Sequence, residues 1–282
     1  MPRKVSLQDF QRKRDKGQPI TMLTAYDYPA ARLVDEAGVD AILVGDTLAM
    51  TVLGHRDTVS VTVDEMLHHC KAVARGAVRA LLVGDMPFMS YQVSRREAVR
   101  SAGRYMKEAH MDAVKLEGGN EVAATVRAIV SAGVPVMGHI GLTPQTATQL
   151  GGYKVQATSA EAALKLRDDA LALQDAGCFA VVLEAVPAAV AQAVTEKLAI
   201  PTIGIGAGAG CSGQVLVFHD VLGLFDGFVP KFVKQFGKLR EPMLQALTTF
   251  RREVEAGEFP GKEHSYGLDD SELRRFLGVD QS

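Results

Sequence analysis

The feature that most limits the fold of this chain is an alternation. Eight short apolar runs recur along it: Ile20–Ala25, Ala41–Val44, Ala80–Val83, Ala113–Leu116, Val134–Gly138, Phe179–Leu183, Pro201–Ile205 and Val215–Phe218. Most are separated by segments with helical periodicity, namely Tyr28–Ala37, Thr62–Arg75, Ser94–Ala109, Glu121–Ala132, Ala160–Ala176 and Pro187–Leu198. Strands that are apolar on both faces and joined by helices imply a parallel sheet. Eight such units in 282 residues predict an α/β fold, a (β/α)8 TIM barrel, which takes about 250 residues. Ser6–Lys16 reads as an extra N-terminal helix able to cover the barrel floor. After Pro242 a helical pattern runs to about Ala256, and a polar stretch ends the chain, giving a C-terminal helical extension. With no low-complexity linker, residues 1–282 read as a single barrel domain whose tail, 267–282, is peripheral or flexible.

Composition removes several classes of function. The formal net charge is −2, so there is no basic footprint for nucleic acid. No apolar run approaches the roughly 18–20 residues of a membrane helix. The first residues, MPRKVSLQDFQRKRDKG, lack the apolar core of a secretory signal. Cys70, Cys178 and Cys211 are odd in number and far apart, which points to free thiols and a cytoplasmic location.

A barrel of this kind carries its chemistry at the C-terminal ends of its strands. There the sequence places Asp46, Asp85, Glu117 and Glu184, one after each of four apolar runs. One such acid alone is more often a helix cap. Four meeting on one rim are costly unless a cation or proton is shared. Oxygen-only donors suit a hard ion, Mg²⁺ before Zn²⁺. Lys115 and Glu117, two apart on one strand, face the same space, and Gly118-Gly119 let the backbone turn there. His139 reads either as a hydrogen-bonded structural histidine or as a substrate contact. The run Gly204-Ile-Gly-Ala-Gly-Ala-Gly210 does not match a dinucleotide fingerprint, because it leads into another strand. It reads as backbone approaching a ligand or crossing the barrel mouth, or else as a tight connection.

TAYDYPAA at 24–31, LVGDTLAMTVLGH at 43–55, MPFMSY at 86–91, VKLEGG at 114–119, GHIGLTPQ at 138–145, LEAVP at 183–187, IPTIGIGAG at 200–208 and EHSY at 263–266 follow one another over nearly the whole chain. In these motifs the chain resembles the ketopantoate hydroxymethyltransferase family. The resemblance implies a homo-oligomer, a decamer built as a pentamer of dimers, with Mg²⁺ held by Asp46, Asp85 and Glu117. It implies a keto-acid site of Asp46, Thr47, Asp85 and Lys115, with Thr47 keeping the hydroxyl of a commoner serine, and Glu184 as catalytic base. It also implies the reaction: one carbon passes from 5,10-methylenetetrahydrofolate to 3-methyl-2-oxobutanoate through a Mg-stabilised enolate, giving 2-dehydropantoate for pantothenate biosynthesis. For the folate, the strand-7 glycines and loop 45–61 are the candidates. The alternative is a Mg-dependent lyase or mutase of the phosphoenolpyruvate/pyruvate type, with the same barrel and the same enolate.

Overall fold

Along each strand the inward positions are spaced by two, and they change character part-way. Leu81 and Val83 precede Asp85; Ala113 precedes Lys115 and Glu117; Met137 precedes His139; Ala180 and Val182 precede Glu184. The apolar members fill the barrel interior as one cluster, together with Ile20, Met22, Leu43, Ile203 and Val215. The charged members sit one layer further up. This continuity of pleat carries the acids to one rim.

The computed structural model describes residues 3–224, 227 and 229–279. Its strands are β1 (Ile20–Thr24), β2 (Ala41–Val44), β3 (Leu81–Asp85), β4 (Ala113–Glu117), β5 (Val136–Gly141), β6 (Ala180–Glu184), β7 (Thr202–Ile205) and β8 (Gly213–Leu216). They close into a barrel in sequence order, all pairs parallel, with β8 returning to β1. The helices are α1 (Leu7–Asp15), α2 (Tyr28–Glu36), α3 (Leu48–Thr51), α4 (Val63–Gly76), α5 (Arg95–Ala109), α6 (Ala123–Ser131), α7 (Ala160–Asp175), α8 (Ala188–Lys197), α9 (Phe218–Val221), α10 (Arg240–Glu255) and α11 (Asp270–Phe276).

Local chemistry fixes the helix starts. Thr62 and Glu65 form a capping box at α4, Ser94 caps α5 through the Glu97 N–H, and Ser159 caps α7. The outer faces of the strands and the inner faces of the helices share a second, larger apolar cluster. Phe10 of α1 joins the interior cluster instead, edge-on to Phe179, so the N-terminal helix does close the lower end.

The ring departs from regular alternation between β7 and β8. They are joined by residues 206–212 alone, with no helix. The glycines of that run are filled in by the chain itself. A Cβ on Gly208 would lie 2.4 Å from the Ala188 Cβ, and one on Gly210 2.6 Å from the Gln192 Cβ. At Gly208 and Gly210 the run packs tightly on α8. The tail expected at 267–282 carries α11, with no buried residue as far as Val279; residues 280–282 lie outside the described residues.

One contact ties the ring of helices to the rim. The Tyr105 hydroxyl on α5 donates to the Asp85 carbonyl at 2.6 Å, and the ring lies over Gly84. A Cβ at position 84 would come 2.4 Å from Tyr105 Cδ1. Gly84→Ala should therefore cost about 1–3 kcal/mol through overpacking. Thermal melting measures it, and an unchanged midpoint would contradict the packing described.

Candidate active site

Because the strands are parallel and in register, their last residues become neighbours. Asp85 pairs with Lys115, Glu117 with His139, and Gly141 with Glu184. Asp46, Asp85, Lys115, Glu117 and His139 are each no more than 4% exposed. Glu184 is more open, with a side chain 16% exposed. All six line one cavity, together with Thr47 and with apolar Leu43, Val182 and Val215. The structure thus brings together every residue singled out from the sequence. A larger cleft of about 580 Å³ lies at the other end of the barrel, beside Arg14, Gln18 and Ser212, and gathers no comparable set of acids.

Lys115 stands at the centre. Its Nζ lies 2.9 Å from Asp85 Oδ1, 3.9 Å from Glu117 Oε1 and 3.1 Å from His139 Nδ1. His139 joins the two ends of the acid set: Nδ1 is 3.3 Å from Glu117 Oε1, and Nε2 is 3.2 Å from Glu184 Oε2. The histidine is thus a buried link between acids that also lines the cavity.

The double glycine after Glu117 has a packing cause. Gly118 sits at φ 124°, while its N–H donates to the His139 carbonyl at 3.0 Å. A Cβ on Gly119 would fall 2.3 Å from Asp169 Cγ of α7. Asp169 accepts there from the Asn120 N–H at 3.0 Å, so α7 holds the turn that positions Glu117. After Glu184 the chain turns through Ala185 at φ 48°, a left-handed conformation that costs about 1–2 kcal/mol in a residue with a Cβ.

Two site residues escaped the sequence reading. Gln145 is buried, and three of its groups are used. Its backbone N–H donates to Glu117 Oε2 at 3.0 Å; Nε2 donates to Asp46 Oδ2 at 2.9 Å and to the Met86 carbonyl at 3.0 Å. The Tyr91 hydroxyl lies 2.9 Å from Gln145 Oε1 and 3.0 Å from the Glu117 carbonyl, and accepts from the Glu117 N–H. Their sequence signal was membership of two motifs, GHIGLTPQ ending in Gln145 and MPFMSY ending in Tyr91.

These contacts sort the carboxylate oxygens. Asp46 Oδ2 and Glu117 Oε2 are held by Gln145, and Asp85 Oδ2 by the Asp46 N–H at 3.1 Å. Asp85 Oδ1 and Glu117 Oε1 are buried without a hydrogen bond, and only the charge of Lys115 and the His139 ring stand near them. Burial, then the charges of Asp85 and Glu117, push the Asp46 carboxyl well above the usual range. Burial raises Asp85 too, against the pull of Lys115. Glu117 is also opposed by burial, yet His139, Lys115 and the Gln145 N–H hold it below the usual value. Three buried acids beside one ammonium and one histidine hold protons at the cost of burial, and a hard cation can take the place of such a proton.

No group of three or more His, Cys, Asp or Glu side chains among the described residues is already closed enough to hold a metal ion, because the lysine occupies the middle. The donor set nevertheless suits Mg²⁺, with carboxylate oxygens only and two of them lacking a hydrogen bond. Lys115 would have to give way as the ion entered.

Fold and site together define a (β/α)8-barrel enzyme built round a buried acidic centre. The sequence profile of the ketopantoate hydroxymethyltransferase family matches residues 4–262. A 3-methyl-2-oxobutanoate hydroxymethyltransferase from Heliobacterium modesticaldum is 57% identical, covering 96% of this chain and 98% of its own length. One from Oleidesulfovibrio alaskensis is 60% identical over 91% and 89%. The chain belongs to the ketopantoate hydroxymethyltransferase family. Among solved structures, a phosphonopyruvate hydrolase with oxalate and Mg²⁺ superposes with a TM-score of 0.59 at 12% identity, covering 97% of this chain and 95% of its own. A 2,3-dimethylmalate lyase of the PEP mutase/isocitrate lyase superfamily gives 0.56 at 18% over 97% and 95%. These last two share the barrel fold, so the lyase or mutase alternative survives only as a common architecture.

His139 sets a pH dependence in metal-free protein. Burial and the Lys115 charge favour the neutral ring, but Glu117 and Glu184 outweigh them and raise it from 6.5 to about 9. A raised folded value adds stability that is complete below 6.5 and lost as pH rises through about 9. With chelator present, the protein should lose on the order of 3 kcal/mol across that window. His139→Asn should flatten the loss. Equal slopes in melting curves of the two proteins from pH 6 to about 9.5 would refute this account.

Proposed function

We propose that this chain transfers the one-carbon unit of 5,10-methylenetetrahydrofolate to 3-methyl-2-oxobutanoate, giving 2-dehydropantoate in pantothenate biosynthesis. The named relatives support the reaction, and one observation supports the division of labour. Three acids are pinned by scaffold donors around Lys115, while the Glu184 side chain stands on a separate strand and, among the described residues, has His139 as its one polar side-chain neighbour.

In this reading Asp46, Asp85 and Glu117 hold Mg²⁺, which when bound supplies the Lewis acidity that makes the C–H beside the keto group acidic. Lys115 gives positive charge for the substrate carboxylate or for the developing enolate oxygen, and Thr47 offers a hydroxyl to the substrate. Glu184 takes the C3 proton. The electron pair left at C3 attacks the methylene carbon of the folate; one carbon–nitrogen bond breaks as the carbon–carbon bond forms. The freed nitrogen takes the proton that Glu184 received; as the second carbon–nitrogen bond breaks, water gives its OH to the transferred carbon and its other hydrogen to that nitrogen, releasing the hydroxymethyl product and tetrahydrofolate. His139 keeps Glu184 at its post, and apolar Val182 and Val215 limit water at the reacting carbon.

The enzyme is further read as a cytoplasmic homo-oligomer, a decamer of five dimers. The extension supports assembly: α10 buries no residue and presents Met243, Leu244, Leu247, Phe250 and Val254, each 47–65% exposed. No described helix is long and apolar enough to cross a membrane.

The direct assay is hydroxymethyl transfer to the keto acid with Mg²⁺ and with chelator; turnover that ignores chelator would end the metal reading. Glu184→Gln should still bind Mg²⁺ and keto acid, yet lose about 10²–10⁴-fold in turnover and fail to exchange the C3 hydrogen with deuterium from solvent. Rapid exchange in that variant removes Glu184 from the role. Asp85→Asn should weaken the dependence on Mg²⁺ strongly, seen as a higher Mg²⁺ concentration for half-maximal rate.

A further inference from the structure

The Gln145 network reaches beyond holding the fold together. A carboxylate can meet a cation with one oxygen or with two. Ca²⁺ takes six to eight oxygens at about 2.3–2.6 Å and often uses both oxygens of one carboxylate; Mg²⁺ demands six near-octahedral ligands at about 2.0–2.1 Å. Here each acid of the centre has one oxygen already spent on a scaffold N–H. Asp46 Oδ2 is bound by Gln145 Nε2 at 2.9 Å, Glu117 Oε2 by the Gln145 N–H at 3.0 Å, and Asp85 Oδ2 by the Asp46 N–H at 3.1 Å. Two of these three restraints come from one buried residue, and they join acids of different strands.

The amide itself is held in one orientation. Its nitrogen faces the Met86 carbonyl, which can only accept, and its oxygen faces the Tyr91 hydroxyl. We infer that Gln145, oriented by Tyr91, is a positioning residue that makes Asp46 and Glu117 one-oxygen donors and so selects Mg²⁺ over Ca²⁺ at this site. The inference rests on the magnesium reading proposed above. Outer hydrogen bonds of this kind carry about 10–100-fold in metal affinity elsewhere.

The test is calorimetric titration of Mg²⁺ and, separately, Ca²⁺ into metal-free wild type, Gln145→Met and Tyr91→Phe, with melting temperature measured alongside. Gln145→Met keeps the side-chain length and removes the amide bonds to Asp46 and Met86, while the backbone N–H to Glu117 stays, so it reads the Asp46 restraint. It should bind Mg²⁺ about 10–100-fold more weakly and lose part of the preference over Ca²⁺, whose affinity falls less. Tyr91→Phe keeps the donors but frees the amide to turn, and should shift both quantities in the same direction by a smaller factor. If Gln145→Met does not fold, Tyr91→Phe decides alone. Unchanged Mg²⁺ affinity in a folded variant, or equal weakening of both ions, overturns the inference and leaves the network a structural one. Wild type that binds no Mg²⁺ overturns it together with the magnesium reading, whereas wild type that binds Mg²⁺ beside unaltered variants overturns the Gln145 role alone.

Discussion

Like charges buried side by side are the constraint on which the rest of this structure depends. Asp46, Asp85 and Glu117 come from three neighbouring strands and are almost wholly removed from water. Isolated, each would stay neutral rather than ionise. Lys115 answers part of that cost, 2.9 Å from Asp85 and 3.9 Å from Glu117. The proton that burial keeps on Asp46 is what a divalent cation can replace. A barrel suits this arrangement because its apolar layers hold the strand ends rigidly, while the acids project where no further packing is needed.

The same geometry separates two jobs that carboxylates can do. Acids tied by N–H donors have fixed oxygens and make good ligands. Glu184 differs: its Oε2 lies 3.2 Å from His139 Nε2, and no scaffold N–H among the described residues donates to its side chain. The histidine couples the two, since it touches Glu117 with one ring nitrogen and Glu184 with the other. Burial opposes a charge on the ring, and the two acids beside it outweigh that burial.

Much of this was legible in the sequence, for physical reasons. Short β-rich runs, apolar on both faces and alternating with helical segments, identified all eight strands, and reading the residues after each run found all four acids, Lys115 and His139. Boundaries drifted by one or two residues where the pleat continues into charged positions: β3 runs on through Asp85 and β4 through Glu117. What stayed hidden was long-range. Gln145 meets Asp46 across 99 residues and Tyr91 across 54, and a glutamine in a loop has no local pattern that foretells this. The helix-free β7–β8 connection was ambiguous because glycines serve close packing and ligand approach alike; the side chains of Ala188 and Gln192 show the packing at Gly208 and Gly210.

The central claim is that the acidic centre is completed by a divalent cation that displaces protons held by burial. Titration calorimetry of Mg²⁺ into chelator-treated protein, repeated in two buffers of different ionisation enthalpy, counts the protons released. The account predicts saturable binding with proton release at neutral pH, because the raised Asp46 carboxyl must ionise to become a ligand. No saturable heat, or saturable binding that leaves the proton count at zero, would contradict it.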